Sequence, residues 1–207
     1  ARKEGKLLGI GLSSYVEICG AAPSAVAGTL GARAGLWESA NVRLHMTGKV
    51  SVFTGSSSHG QGHETAFAQI VSSELGIPVE DIDIIHGDTS QIQMGTGSFG
   101  SRSAAVGGGA IHLSTQKIKE KAKKLAAHIL EASEDDIVYE NGKLFVQGAP
   151  SEGKTIQEIA LASYYYTEDI PEDMEPGLEA MSFFDPKNFT WPGGTHVAVV
   201  EVDGSTG

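Results

Sequence analysis

An α+β fold with mixed or antiparallel sheets is predicted by three features of the sequence. Residues 38–54 and 136–146 alternate apolar and polar side chains around short turns. Residues 67–75 and 111–129 instead carry apolar side chains at helical spacing. A further alternating run at 80–86 stands between the two helices, so the order reads hairpin, helix, strand, helix, hairpin. Hairpins, a mixed sheet and two or three packed helices are therefore expected, without the strand–helix alternation of a doubly wound sheet.

At residues 7–18, Leu8, Ile10 and Leu12 alternate with Gly9, Gly11 and Ser13, which suits a closely packed strand; Glu17 is the odd residue at its end. Residues 19–36 are rich in Gly and Ala without periodicity and read as loop. The first hairpin pairs residues 38–44 with 49–54 about Thr47-Gly48-Lys49, with Asn41, Arg43 and His45 on the face opposite Val42, Leu44 and Met46. After a loop at 55–62, Phe67, Ile70, Val71 and Leu75 mark a helix that Gly76 and Pro78 stop. Asp81 and Asp83 alternate with Ile82 and Ile84 in a half-buried strand, and Gly87 begins a second loop.

From about Gly108, the residues Ile111, Ile118, Ala122, Leu125 and Ile129 trace one face of a long helix, with five lysines between 117 and 124 mostly on the other. The second hairpin turns at Asn141-Gly142, a dipeptide that tolerates two positive φ values. Thr155 and Glu158 fit a capping box opening a short helix through Ile159 and Ala160. Residues 167–179 are acidic and proline-broken and read as an exposed loop. Phe183, Phe184, Phe189 and Trp191 follow in a loop-like context suited to sealing a core or an interface, and the last strand is 195–202.

A chain of 207 residues can bury a real core in one large domain or two halves sharing one. Its 40% hydrophobic and 20% charged content is that of a globular protein, which sets aside disordered and fibrous classes. The net charge of −11 argues against a nucleic-acid surface, since phosphate neutralisation needs clustered Lys and Arg. A single cysteine, Cys19, excludes an intrachain disulfide and any thiolate metal cluster built by this chain alone. A reducing, cytoplasmic setting is expected, with no membrane span.

Two Gly/Ser-rich loops carry the chemistry: GSSSHGQGHET at 55–65 and GTGSFGSRS at 95–103. Each runs into a helix, and a helix start preceded by glycines offers free N–H groups and a positive dipole end to an anion. Together they suit a large phosphate-bearing cofactor. The second adds serine hydroxyls and the Arg102 guanidinium, a set that matches phosphate geometry. The first departs from the dinucleotide fingerprint because Thr65 stands at the third glycine and the strand-to-helix unit does not read as βαβ. Signatures for a P-loop and for a G-x-S-x-G elbow are lacking. His59 and His63 lie four apart, but Gly60 and Gly62 interrupt the helix that would let them share a metal, so hydrogen bonding to a phosphate or heterocycle suits His63 better. A turn in which the glycines serve only the backbone is the competing reading.

The run TGKVSVFTGSSSHGQGHETAFAQIVSSELGIPVEDIDIIHGDT, followed by GTGSFGSRS, resembles the molybdopterin-binding large subunits of the xanthine oxidase family of molybdenum hydroxylases, most closely those of the aerobic carbon monoxide dehydrogenase type. GIGLSSYVEICGAAPS and SAAVGGGAIHLSTQKIKEKA extend the resemblance over nearly the whole chain. The resemblance implies molybdopterin cytosine dinucleotide with molybdenum as cofactor. It implies that Gln61, Gly62, His63 and Thr65 contact it from one side, and Ser98, Phe99, Gly100, Ser101 and Ser103 from the other, with Gly100 nearest the metal. Tyr15 would line the substrate side.

The family's catalytic glutamate lies in a glycine-rich motif downstream of the last strand here, and other cofactor and substrate segments lie upstream. The resemblance thus implies an internal portion of a large subunit. Its partners would be the rest of that subunit and FAD-binding and 2Fe-2S subunits or domains. Neither Glu17 nor Glu64 is assigned the role of base; no catalytic residue or metal ligand is assigned to this chain. Alone it is expected to be inactive and to hide apolar surface by forming a homodimer. A non-catalytic binding or assembly module that keeps the fold is the alternative.

Overall fold

A computed structural model describes residues 5–21 and 23–207; Ala22, within the stretch read as loop, lies outside them. At the centre is a four-stranded sheet in which the strands lie in the order Ile82–His86, Val50–Thr54, Glu38–Leu44 and Leu178–Phe184. Strand β2 (Glu38–Leu44) pairs antiparallel with β3 (Val50–Thr54), Leu44 opposite Val50, as the Thr47-Gly48-Lys49 turn requires. Helix α2 (His63–Leu75) then carries the chain across to β4 (Ile82–His86), which lies parallel to β3. The unit is therefore βαβ, contrary to the sequence reading, because a helical crossover returns the next strand in the same direction. The sheet remains mixed, since β2 runs against both its neighbours.

Helix α3 (Gly108–Ile129) lies across this sheet with Ile111, Ile118, Ala122 and Leu125 fully buried. They meet Val42, Leu44, Val50 and Val52 from the sheet and Phe67, Val71 and Leu75 from α2 in one core. Each such Val, Leu, Ile or Phe side chain contributes about 1.5–3 kcal/mol on leaving water. Lys119 reaches Glu74 on α2, and Lys124 reaches Asp173, so much of the basic face is paired at the rim.

At the far end of α3 the second hairpin, β5 (Ile137–Glu140) and β6 (Lys143–Val146), turns through Asn141 and Gly142 at φ 48° and 75°. Strand β7 (Lys154–Thr155) joins it and leads into α4 (Ile156–Tyr165) through the expected capping box. That helix runs beyond Ala160 to Tyr165 because Ala162 and Ser163 continue the buried face.

Other boundaries moved for local reasons. Pro78 cannot donate to a ladder and opens a 3-10 turn at Val79–Asp81, closed by the Asp81 amide on the Pro78 carbonyl at 3.0 Å, so β4 starts at Ile82 rather than residue 80. A short α1 (Ser24–Thr29) occupies part of the stretch read as loop; with six residues and no buried side chain it leaves no periodic signal. Leu178, Glu179, Phe183 and Phe184, read as loop, form β8 (Leu178–Phe184), antiparallel to β2; Ala180 and Ser182 blur its alternation. The acidic loop before it is not wholly exposed, since Met174 is buried in the core.

Strands β1 (Leu7–Val16) and β9 (Gly193–Val202) form a separate antiparallel ribbon over ten residues each. Ile10, Leu12, Val16, Val197 and Val199 remain largely exposed on it, so the close packing expected of β1 is met only by β9.

Candidate cofactor-binding site

Because β3 and β4 are parallel, the loops that follow them leave the same edge of the sheet, where ligands of open α/β sheets bind. The loops are in close contact. A Cβ on Gly55 would stand 2.3 Å from the Gly95 Cα, so only glycine at both positions permits the crossing. Beyond it the Ser98 hydroxyl donates to the Ser57 carbonyl at 2.5 Å, and the Ser103 hydroxyl meets Ser98 Oγ at 2.9 Å. An open cleft of about 430 Å³ lies here, with Gly55, Ser57, Gly87, Thr89 and Gly95 among its walls.

Helix α2 is preceded by Gly62 at its N-cap, in the left-handed region at φ 76°, and that residue has no side chain with which to cap the first turn. Apart from the Glu64 amide, which faces its own carboxylate, the amides of that turn are open to an outside acceptor. Glu64 would oppose an anion there, but its carboxylate is turned to His86 Nε2 at 2.9 Å, and that bond holds it below the usual carboxylate range. Gly60, Gly62 and Gly97 all have positive φ and open space where a Cβ would lie. Uncapped amides, hydroxyls and Cβ-free walls fit a phosphate-bearing group.

The residues expected from sequence separate by exposure. Gln61, Thr65, Phe99, Gly100 and Ser101 are exposed around the loops, and Ser98 is half-buried between them. The Gln61 side-chain carbonyl accepts the His59 amide, which folds the first loop on itself and leaves the amide nitrogen free of that bond. Ser103 is buried and reaches its surroundings through Ser98. His63 is also buried, 6% exposed, and stacks on Phe67 at 5.1 Å; burial pulls its pKa down, so the ring is neutral near pH 7. Its Nδ1 has no protein partner among the described residues. His59 precedes α2 and bonds the Ser57 carbonyl through Nδ1 at 3.1 Å, so the helical spacing of the two histidines is not realised.

Arg102 departs most from its sequence reading. Rather than facing a phosphate, its guanidinium is fully buried and donates to Glu38 Oε2 at 2.9 Å, to the Gly97 carbonyl at 2.9 Å and to the Leu36 carbonyl. It braces the second loop from beneath. Glu38, its partner, is equally buried, and burial pushes its carboxyl up against the pull of the guanidinium.

Glu17, the odd residue of the run 7–18, lies just past β1 and accepts the Ser101 hydroxyl, which lowers its pKa. The Gly20 amide donates to the Ser101 carbonyl and the Ala21 amide to the Gly100 carbonyl, both at 3.2 Å, so the foot of the ribbon grips the second loop. Ser101 itself is held at φ 50°. Tyr15 stacks on His196 at 5.4 Å, within the ribbon. Neither Glu38 nor Ser57 stood out in sequence; the available sign was that Glu38 falls in step with Ala40, Val42 and Leu44 on the apolar side of an alternating strand.

Residues 1–207 match the molybdopterin cofactor-binding domain, and the chain belongs to that family. It groups with the molybdopterin-binding large chains of the xanthine oxidase family. It is 44% identical over 201 residues to the carbon monoxide dehydrogenase large chain of Hydrogenophaga pseudoflava, covering 97% of this chain and 24% of that one. A crystal structure of a Cu,Mo-CO dehydrogenase in its carbon monoxide reduced state shares the fold at TM-score 0.84 and 42% identity, over 98% of this chain and 25% of that one. Quinoline 2-oxidoreductase from Pseudomonas putida 86 does so at TM-score 0.82 and 39% identity, over 99% and 26%. The chain thus spans about a quarter of the length of the relatives it matches.

Proposed function

We propose that this chain is the part of a molybdenum hydroxylase large subunit that clamps molybdopterin cytosine dinucleotide between its two Gly/Ser loops. The observation that carries the reading is the joined pair of loops at one sheet edge, closed by the Ser98–Ser57 bond beside the uncapped start of α2. Gln61, Gly62 and Thr65 hold the cofactor from one side, the Gln61 side-chain amide donating to it and the open α2 backbone amides donating to its phosphate oxygens. Ser98, Phe99, Gly100 and Ser101 hold it from the other, with Gly100 nearest the metal. His63 and Ser103 lie deeper on these two sides, His63 offering the cofactor a ring nitrogen, Nδ1, that has no protein partner among the described residues, and Ser103 acting through the Ser98 hydroxyl.

When bound, the cofactor supplies a redox-active molybdenum that exchanges electrons with substrate. This chain's residues bind and orient it; the base of the reaction belongs to a segment outside this chain, and by itself the chain is inactive. The remainder of the large subunit and FAD- and 2Fe-2S-carrying subunits or domains are the proposed partners, in the cytoplasm. Among the described residues no helix is long and apolar enough to cross a membrane. The substrate belongs to the range from carbon monoxide to aldehydes and heterocycles.

The test is molybdenum and pterin content of the complete protein carrying Gln61→Ala or Ser101→Ala, with nucleotide release after denaturation. Loss of both from either variant, and a cytosine nucleotide from the parent, are expected. Full cofactor content in both variants would favour a binding or assembly module whose loops merely keep their shape.

A further inference from the structure

The two loops meet above a buried carboxylate that neither the proposed clamp nor the family match accounts for. Glu38 stands at the first position of β2 with no exposed surface. Its Oε1 lies where a Cβ on Gly55 would be 2.3 Å away and one on Gly95 2.7 Å away, so the crossing of the loops rests on it. The fully buried Ser56 hydroxyl donates to Oε2 at 3.5 Å from the first loop. From the second, Arg102 donates to the same oxygen at 2.9 Å, and the Thr96 amide also donates to the carboxylate. Ser56 in turn packs against the start of α3, where a Cβ on Gly107 would lie 2.6 Å from its hydroxyl.

We propose that Glu38 is a positioning residue whose carboxylate locks the two loops at one spacing before any ligand enters. The physical reason is preorganisation. Flexible glycine loops would each lose conformational freedom on closing around a ligand, whereas loops already tied to one buried carboxylate have lost it during folding. A carboxylate serves both because it is acceptor-only on two oxygens and can take a guanidinium, a hydroxyl and an amide at once. Arg102 supplies the compensating charge, and its further bonds to the Gly97 and Leu36 carbonyls spread the lock along the second loop. This inference rests on the reading of the loops as cofactor holders.

Amide hydrogen exchange on the complete protein freed of cofactor tests the lock, read at residues 56–62, 96–103 and, as a core control, 118–125. Glu38→Asp keeps the charge that balances Arg102 but withdraws the carboxylate by one methylene. Exchange is expected to rise at least tenfold in both loops with the control unchanged, and cofactor content to fall by more than half. A role limited to balancing charge would leave both loops protected, and that result overturns the proposal, as does loosening of only one loop. Loops that loosen together while cofactor content stays full would uphold the lock and refute the clamp. If Glu38→Asp also unprotects the control, Glu38→Gln combined with Arg102→Met decides, because it leaves no unpaired buried charge. Loose loops over a protected control then uphold the proposal; protected loops, or a control lost in both variants, overturn it.

Discussion

Arg102 illustrates how a residue type can be read correctly as an anion partner and assigned the wrong anion. The guanidinium does meet an oxyanion, but the anion is a carboxylate 64 residues earlier in the chain. Nothing in the local spacing records that pairing, because β2 and the second loop are brought together only by the sheet. Glu17 was legible as an anomaly and Glu38 was not, for the same reason. Truncating Arg102 to Ala strands the Glu38 charge in the interior and should cost about 3–5 kcal/mol, read as a lower midpoint in chemical denaturation. The exposed pair on the sheet behaves differently. Arg43 donates to Glu179 at 2.8 Å and holds its folded pKa below the ordinary value of 4.5. A depressed folded pKa means a contribution present above the unfolded value and lost as pH falls through the folded one. Glu179→Gln should therefore lower the melting temperature slightly at pH 7 and not at all once acid has protonated the parent carboxylate.

Elements with their own local signal were the legible ones. Helix α3 shows its buried stripe, the hairpins their turns, and α4 its capping box, in which the Glu158 amide donates to Thr155 Oγ1 at 3.2 Å. Thr155→Ala should cost about 1 kcal/mol, measurable by calorimetry. Gly76, predicted to stop α2, does so at φ 64° and has a second duty: a Cβ there would stand 2.2 Å from the Gly142 amide nitrogen. Gly76→Ala should accordingly cost more than the about 1–2 kcal/mol of left-handed strain alone. The parallel course of β4 escaped the sequence reading because alternation fixes which face a residue takes and not the direction of its strand. That missed direction is what places both glycine loops at one edge.

At the scale of the molecule, the packed core and the β1–β9 ribbon differ in kind. The core is closed by α2, α3 and α4, while the ribbon carries Leu8, Ile10, Leu12 and Val199 in the open, each more than half exposed. A two-stranded ribbon is marginal by itself in water. The chain expressed alone should self-associate, with sedimentation velocity giving a dimer; a monomer at high concentration would contradict this. The ribbon also reaches the loops through Glu17 and the Gly20 and Ala21 amides, so its support bears on the second loop. The loops remain the feature on which the functional reading stands, and the crystal structure of the complete, cofactor-loaded protein tests it most directly. The pterin dinucleotide should lie between residues 57–65 and 97–103, within hydrogen-bonding distance of both loops. A cofactor held by one loop alone, or bound away from both, would contradict the clamp.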